Sequence, residues 1–319
     1  MKKKVLICGV GSIGERHLKN LLSLGYSDII LFRSKNKKLR TIKKKFPTFT
    51  NLSKALNQKP EIAIISNPTH LHLKTVMKCI QSQCHVFIEK PISHNLIGYK
   101  KIKELIIKHK RHVEVGYMMR YHPCIIQIKK WIDKRKIGKI LHFKSEWGEY
   151  LPGWHPWEDY KISYAGKKEM GGGPILTLSH DIDLSLLFCG DIKNVSGNFN
   201  SMSELKVNTE DVADILITFK SGACANIHLN YLSRPSSRKI NIIGAKGQIL
   251  FDYYKNEAKM YIDGKHSKTY KVSKKFNRND LFVDEIKHFL NKINKKNPNV
   301  ENIDNAFKIV KIANIVKSY

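Results

Sequence analysis

A hexapeptide near the start of the chain, Gly9-Val10-Gly11-Ser12-Ile13-Gly14, constrains the fold more than any other stretch. It follows a short apolar run, Lys4–Cys8, and precedes a segment in which Leu18, Leu21 and Leu22 recur on one helical side as far as Gly25. Strand, glycine turn and amphipathic helix in that order open a βαβ unit. Gly9 permits the tight turn, Gly11 lets the backbone approach a pyrophosphate, and Gly14 lets helix and strand pack closely. The helix opened by Ser12 and Ile13 offers unpaired N–H groups and a positive dipole end to phosphates. The motif predicts dinucleotide binding.

The rhythm continues over the first 120 residues. Apolar runs at Ile29–Phe32, Glu61–Ser66, His85–Glu89 and His112–Gly116 alternate with helical patterns around Leu71–Gln81 and Asn95–Lys108. This predicts a doubly wound, mostly parallel sheet covered by helices on both faces, a Rossmann domain over 1–120. Beyond Met119 the rhythm changes. A helix at Pro123–Lys134, a strand at Lys139–Trp147 and a helix near Ile175–Phe188 lead into consecutive strand patterns from Asn194 to Val272, then helices near Asp280–Asn291 and Ile303–Lys317. Strands joined by short turns predict a large open, mainly antiparallel sheet in an α/β substrate-binding and oligomerisation domain over 121–319, with the last helix packing back on the first domain.

The end of the second strand bears on the choice of dinucleotide. An acid there holds the adenosine ribose hydroxyls of NAD. This chain reads Leu31-Phe32-Arg33-Ser34-Lys35 instead, and Arg33 with Ser34 can bind a 2′-phosphate. NADP(H) is therefore favoured over NAD(H).

The net charge of +30 needs a reason. The lysines are spread along the whole chain and are not interleaved with aromatics as single-strand binding needs, so nucleic acid is not the expected partner. An anionic small molecule would still be steered towards such a surface. No apolar run reaches the length of a membrane span. The apolar stretch after Lys2-Lys3-Lys4 stops at Val10 and is read as a strand, not an export signal, which points to the cytoplasm. Six cysteines without a C-x-x-C pair suit reduced, mostly buried thiols and no metal site.

Three further segments carry a family resemblance. Ser66-Asn67-Pro68-Thr69-His70-Leu71-His72 and Ile88-Glu89-Lys90-Pro91 each follow a strand, and Gly171-Gly172-Gly173 precedes His180-Asp181-Ile182-Asp183. With the N-terminal glycines, their order and spacing resemble the glucose–fructose oxidoreductase / inositol dehydrogenase / rhizopine-catabolism (Gfo/Idh/MocA) family over essentially the whole chain. The resemblance implies an NAD(P)-dependent oxidoreductase acting on CH–OH groups of a carbohydrate, assembled as a homodimer or homotetramer through its open sheet. It implies that Asn67, Pro68, Thr69, His72, Glu89 and Lys90 lie at the cofactor, with Lys90 near the reacting carbon and His180 as proton donor or acceptor. Many relatives carry an Asp four residues before this His, where this chain has Leu176. Thr177, three residues before, is placed on the same helical side as His180. The stretch Trp154–Tyr160 with the later Leu-Ser-His resembles a subgroup linked to bacterial surface-sugar biosynthesis.

The residue types suit that chemistry. Oxidising a secondary alcohol needs a proton acceptor, which an imidazole with an ordinary pKa of ~6.5 provides, and a cation at the oxygen, which Lys90 provides. Asp181 or Asp183 can orient the imidazole, and Tyr160 or Tyr164 can replace it as an acid. Trp154 and Tyr160 can wall a sugar, and Arg234 can hold an anionic group or cap a turn. The expected substrate is a sugar, sugar nucleotide or related polyhydroxylated acid. The alternative is a non-catalytic, dinucleotide-sensing regulator on the same fold, against which the presence of both Lys90 and His180 counts.

Overall fold

The computed structural model describes residues 2–34, 38–295, 298 and 300–318; Lys35 lies outside them. The chain divides into two compact units, Met1–Tyr117 with Phe282–Lys308, and Met118–Leu281 with Ile309–Tyr319.

The first unit contains β1 (Val5–Cys8), α1 (Ser12–Ser23), β2 (Ile29–Phe32), β3 (Thr48–Phe49), α2 (Leu52–Leu56), β4 (Ile62–Ile65), α3 (His72–Gln81), β5 (His85–Glu89), α4 (Tyr99–His109) and β6 (Val113–Gly116). The six strands form one sheet in the order β3-β2-β1-β4-β5-β6, parallel throughout. Every residue of β1, β4 and β5 is buried, which is why β1, β4 and the middle of β5 read as unbroken apolar runs instead of alternating ones. The order reverses between β2 and β4 about β1, and such a switch point is where open α/β sheets bind ligands. β3 and α2 carry too little apolar pattern to be read from sequence.

The sequence reading returns only the last helix to this unit, but the structure returns residues 282–308. Ile286, Phe289 and Ile293, from α8 (Arg278–Lys292) and just past it, join Val5, Ile7, Leu18, Leu21 and Phe87 in one core. Each such side chain taken out of water contributes about 1.5–3 kcal/mol. The first turns of α9 (Glu301–Val316) belong here too: the Tyr99 hydroxyl donates to Asp304 at 2.7 Å and its ring meets Phe307.

The second unit holds α5 (Pro123–Asp133), β7 (Ile140–Gly148), α6 (Pro174–Thr177), α7 (His180–Cys189), β8 (Ile192–Asn200), β9 (Val212–Phe219), β10 (Cys224–Asn230), β11 (Ser237–Gly244), β12 (Gly247–Asp252), β13 (Glu257–Ile262) and β14 (Lys265–Lys271). Its eight-stranded sheet runs β14-β13-β12-β11-β7-β10-β9-β8. Only β7 and β10 pair in parallel; the other neighbours are antiparallel, as expected. In β9, Ala213, Ile215, Ile217 and Phe219 are buried while Asp214 and Leu216 face out, the period-2 signature of a sheet covered on one face. The exposed lysines of β14 protect the sheet edge from adventitious pairing.

The helix read across Ile175–Phe188 is two helices. Leu178 leaves helical geometry, and α7 restarts after Ser179 with Asp181 and Asp183 in its first turn, where the helix dipole welcomes acids. Thr177 and His180 therefore do not share a helical face. Nine of the ten residues of α7 are buried, so its polar side chains must find partners inside the protein.

Among the described residues no helix is long and apolar enough to cross a membrane. The cysteines are unpaired thiols, all buried except Cys224.

Candidate active site

In the first unit the glycine turn lies where β1 meets α1. Gly9 has φ +88°, and a Cβ on it would fall 2.4 Å from the Asn67 nitrogen. A Cβ on Gly14 would fall 2.1 Å from the Gly9 carbonyl oxygen. These two glycines are demanded by the protein's own packing. Gly11 differs: a Cβ there would meet no atom within 4 Å. Gly11 and Ser12 are exposed and Ile13 is half-buried at the start of α1, and no side chain caps the helix, an arrangement suited to an anion at its N-terminus. Ser66 closes the turn from the next strand, its hydroxyl donating to the Gly9 carbonyl at 2.7 Å.

Two loops at the carboxyl end of this sheet are tied together by His72. Its Nδ1 lies 2.9 Å from the Pro91 carbonyl and its Nε2 2.8 Å from the Asn67 carbonyl. Burial pushes its pKa down, against the pull of those carbonyls. A neutral imidazole has one N–H, so it serves one carbonyl at a time. The Asn67 amide donates to Thr75 at 2.9 Å, Pro68 is half-buried and Thr69 is buried. Glu89 is buried with Oε1 2.7 Å from His17 Nε2, and its Oε2 accepts from the Lys90 backbone N–H at 3.3 Å. Burial opposes its ionisation, but the hydrogen bond and charge of His17, with Lys90 and His72, outweigh this and hold its pKa low. Lys90 thus sits, half-buried, between two buried anchors.

Glu285 completes the cluster behind Glu89. His17, Glu89 and Glu285 offer nitrogen and oxygen atoms all within 4.8 Å of one another. Burial, then the charges of Glu89 and Glu114, push the Glu285 pKa well up, so a proton resolves the crowding of its carboxyl.

At the end of β2, the half-buried Arg33 donates its backbone N–H to the Phe49 carbonyl at 3.1 Å, and Ser34 is exposed. Glu15, on the first turn of α1, accepts from Arg40 N at 2.6 Å, Thr41 N at 3.0 Å and the Thr41 hydroxyl at 2.6 Å, anchoring the segment that follows this loop.

In the second unit His180 is buried at the first position of α7, stacked on Trp147. The two acids proposed to orient it both hold arginines. Asp183 receives a two-pronged pair from Arg120, at 2.8 Å and 2.6 Å, and Asp181 receives Arg238. Burial pushes both carboxyl pKa values up, with each arginine pulling the other way. Thr177 gives its hydroxyl to the Gly173 carbonyl at 2.8 Å and sits 2.5 Å from the Tyr231 hydroxyl. Trp154 packs edge-on against that tyrosine, so Tyr231 brings Trp154 and Thr177 together. Tyr160 is half-buried on the same irregular segment. Arg234 is exposed, its guanidinium 4.3 Å from the Tyr150 ring centre, stacked on the ring.

The glycine run before α6 has a steric reason. A Cβ on Gly173, where φ is +92°, would fall 2.1 Å from Glu210 Oε1. That carboxylate also holds Lys317 at 2.8 Å. Sequence reasoning missed His17, Glu285, Trp147, Arg120, Glu210, Tyr231 and Arg238. Their partners lie far along the chain, 72 residues away for His17 and 57 for Arg238, and no local pattern signals such pairs.

Comparison with known proteins accords with this geometry. Residues 3–117 match the description "Oxidoreductase family, NAD-binding Rossmann fold", and residues 125–250 match "GFO/IDH/MocA C-terminal domain". The chain belongs to the Gfo/Idh/MocA family. As a member it is an NAD-binding oxidoreductase. The myo-inositol 2-dehydrogenase of Thermotoga maritima is 23% identical over 316 residues, covering 92% of this chain and 89% of that protein. The scyllo-inositol 2-dehydrogenase (NAD(+)) of Bacillus subtilis is 27% identical over 65% of this chain and 59% of that one. Among solved structures, a levoglucosan dehydrogenase in complex with NADH superposes with a TM-score of 0.87 at 16% identity, covering 100% of this chain and 96% of that one. A UDP-N-acetylglucosamine 3-dehydrogenase from Acidithiobacillus ferrooxidans superposes at 0.77 and 18%, covering 100% and 99%. At such identities the structural likeness shows the fold.

Proposed function

We propose that this Gfo/Idh/MocA protein moves a hydride between NADP(H) and a secondary alcohol or ketone of a sugar, sugar nucleotide or related polyhydroxylated acid. The observation that carries the reading is the anchoring of Lys90. The His72 clamp on one side and the His17–Glu89 contact on the other hold its loop at the carboxyl end of the sheet. The names of the relatives, which act on inositols, levoglucosan and a UDP-sugar, supply the substrate class.

When bound, the nicotinamide supplies the hydride acceptor or donor. In the oxidising direction His180 takes the hydroxyl proton, and in the reducing direction it returns it. The Lys90 ammonium stabilises the charge that gathers on the substrate oxygen. The preference for the phosphorylated dinucleotide rests on Arg33 and Ser34 at the end of β2, where no acid stands to repel a 2′-phosphate. The net charge of +30 favours an anionic substrate such as a nucleotide sugar, in line with a role in bacterial surface-sugar biosynthesis. In this reading the enzyme works in the cytoplasm, where unpaired thiols persist, as a homodimer or homotetramer.

The test is to offer myo-inositol, levoglucosan and UDP-N-acetylglucosamine with NADP+ and with NAD+, following reduced nicotinamide. Turnover of at least one, lost in Lys90→Met and His180→Gln while dinucleotide binding persists, supports the reading. Turnover that survives both substitutions overturns it. Neutral sugars turning over far faster than the UDP-sugar would remove the anionic preference.

A further inference from the structure

Two consecutive residues of α7 meet two directly opposed residues of the sheet. Trp147 on β7 and Arg238 on β11 are cross-strand partners. His180 stacks on the Trp147 indole with ring centres 5.9 Å apart and planes 29° from parallel. Asp181 accepts from Arg238 through Oδ1, from Nε at 3.0 Å and from Nη2. The Arg238 guanidinium carbon in turn lies 3.9 Å from the Trp147 ring centre. Three contacts thus run from His180 through Trp147 and Arg238 to Asp181, the next residue in the chain, and all four side chains are buried. The indole is fixed from a further direction by Nε1–H donating to Glu149 at 2.9 Å.

A side chain inside a helix packs back onto the preceding turn, but His180 is the first residue of α7 and follows the break at Leu178 and Ser179. Its ring stacks on a residue of the sheet, Trp147, instead. Trp147 is large and has only two side-chain torsions. A guanidinium over an indole is attractive in its own right, and the Asp181 carboxylate keeps Arg238 there, since either charge left alone in this interior is costly.

We propose that Trp147 is a positioning residue for His180, with the Arg238–Asp181 pair as its buttress. Together they hold the imidazole in one orientation for proton transfer. The inference rests on the reading that His180 carries that proton.

The protein with 15N-labelled histidine tests it without any substrate. The His180 ring signals in long-range 1H–15N spectra are identified by their loss in His180→Gln. The wild-type protein is expected to show one His180 tautomer, with ring protons displaced upfield by the indole. Trp147→Leu is expected to lose the displacement and mix the tautomers, and Trp147→Phe to keep the tautomer with a smaller displacement. Thermal unfolding reports whether each variant folds, and Trp147→Phe carries the test if Trp147→Leu does not. His180 signals that are mixed in the wild type, or unchanged in the folded variants, overturn the inference. A substrate found in the turnover screen adds a second readout. Trp147→Leu should lower kcat with little change in KM, and should cost nothing further in the His180→Gln background. Retained turnover in His180→Gln would overturn the catalytic reading of His180 alone, leaving the spectra to judge the positioning.

Discussion

His17 and Glu89, 72 residues apart in sequence, meet at 2.7 Å in the interior of the first unit and join α1 to the end of β5. The contact links the helix that opens at the glycine turn to the residue just before Lys90. His17→Leu removes the partner and leaves a buried carboxylate against Glu285. We expect a loss of about 1–3 kcal/mol in stability by urea unfolding, and weaker dinucleotide binding. His17→Gln, which keeps a donor, should lose less than half as much. Equal effects of the two would show that the hydrogen bond is not what matters.

The glycines of the turn divide into two that the fold needs and one, Gly11, where a Cβ would meet nothing in the protein. Gly14→Ala forces a Cβ against the Gly9 carbonyl and should lower the unfolding midpoint as well as dinucleotide affinity. The Cβ that Gly11→Val adds meets no atom within 4 Å, and φ there is −87°, so the midpoint should stay within error. NADPH affinity should still fall about tenfold or more, because the side chain fills the approach to the pyrophosphate. A drop in Tm for Gly11→Val with normal binding would reverse the assignment.

Acid sensitivity should trace in part to His122. It is fully buried in the second unit, its Nδ1 accepts from the Cys124 N–H, and its Nε2 meets Asn256. Burial, then the charge of Arg238, lowers its pKa to about 4 despite the contact with Asn256. The unfolded chain binds the proton near pH 6.5 and the folded one only near 4, so stability is full above that window and falls as pH drops through it. The loss is about 3 kcal/mol by the bottom of the window. His122→Asn, which can still cap α5, should flatten this limb when urea midpoints are compared across pH.

Arg238→Met should destabilise the second unit by about 3–5 kcal/mol, because it strands Asp181 in the interior. Pairing it with Asp181→Leu should recover a large part of that loss. A double variant no better than Arg238→Met would mean that the pair is not the source of the cost.

The parts of the fold visible in sequence were those that write themselves locally. β1, β4 and the middle of β5 are apolar on both faces, and β9 alternates, so each reveals its setting within a few residues. The break at Leu178 and Ser179 was hidden because both halves of the helix pair are buried and the apolar pattern runs straight through. The allegiance of residues 282–308 was hidden because the apolar face of α8 looks the same whichever core it meets. At the candidate site, the steric need for Gly9 and Gly14 was legible from a short motif. Asp181 and Asp183 were visible as acids beside His180, but their arginines lie 57 and 63 residues away, and only the folded chain shows that both carboxylates are engaged.

The central claim is that a phosphorylated nicotinamide dinucleotide binds over the open N-terminus of α1 with Arg33 at its 2′-phosphate. Fluorescence titration of the purified protein with NADPH and with NADH, beside Arg33→Asp, tests it most directly. The account predicts tighter binding of NADPH than NADH, with the difference of about tenfold lost in Arg33→Asp. Failure of the wild-type protein to bind either dinucleotide, or NADH binding at least as tight and indifferent to Arg33→Asp, would contradict it.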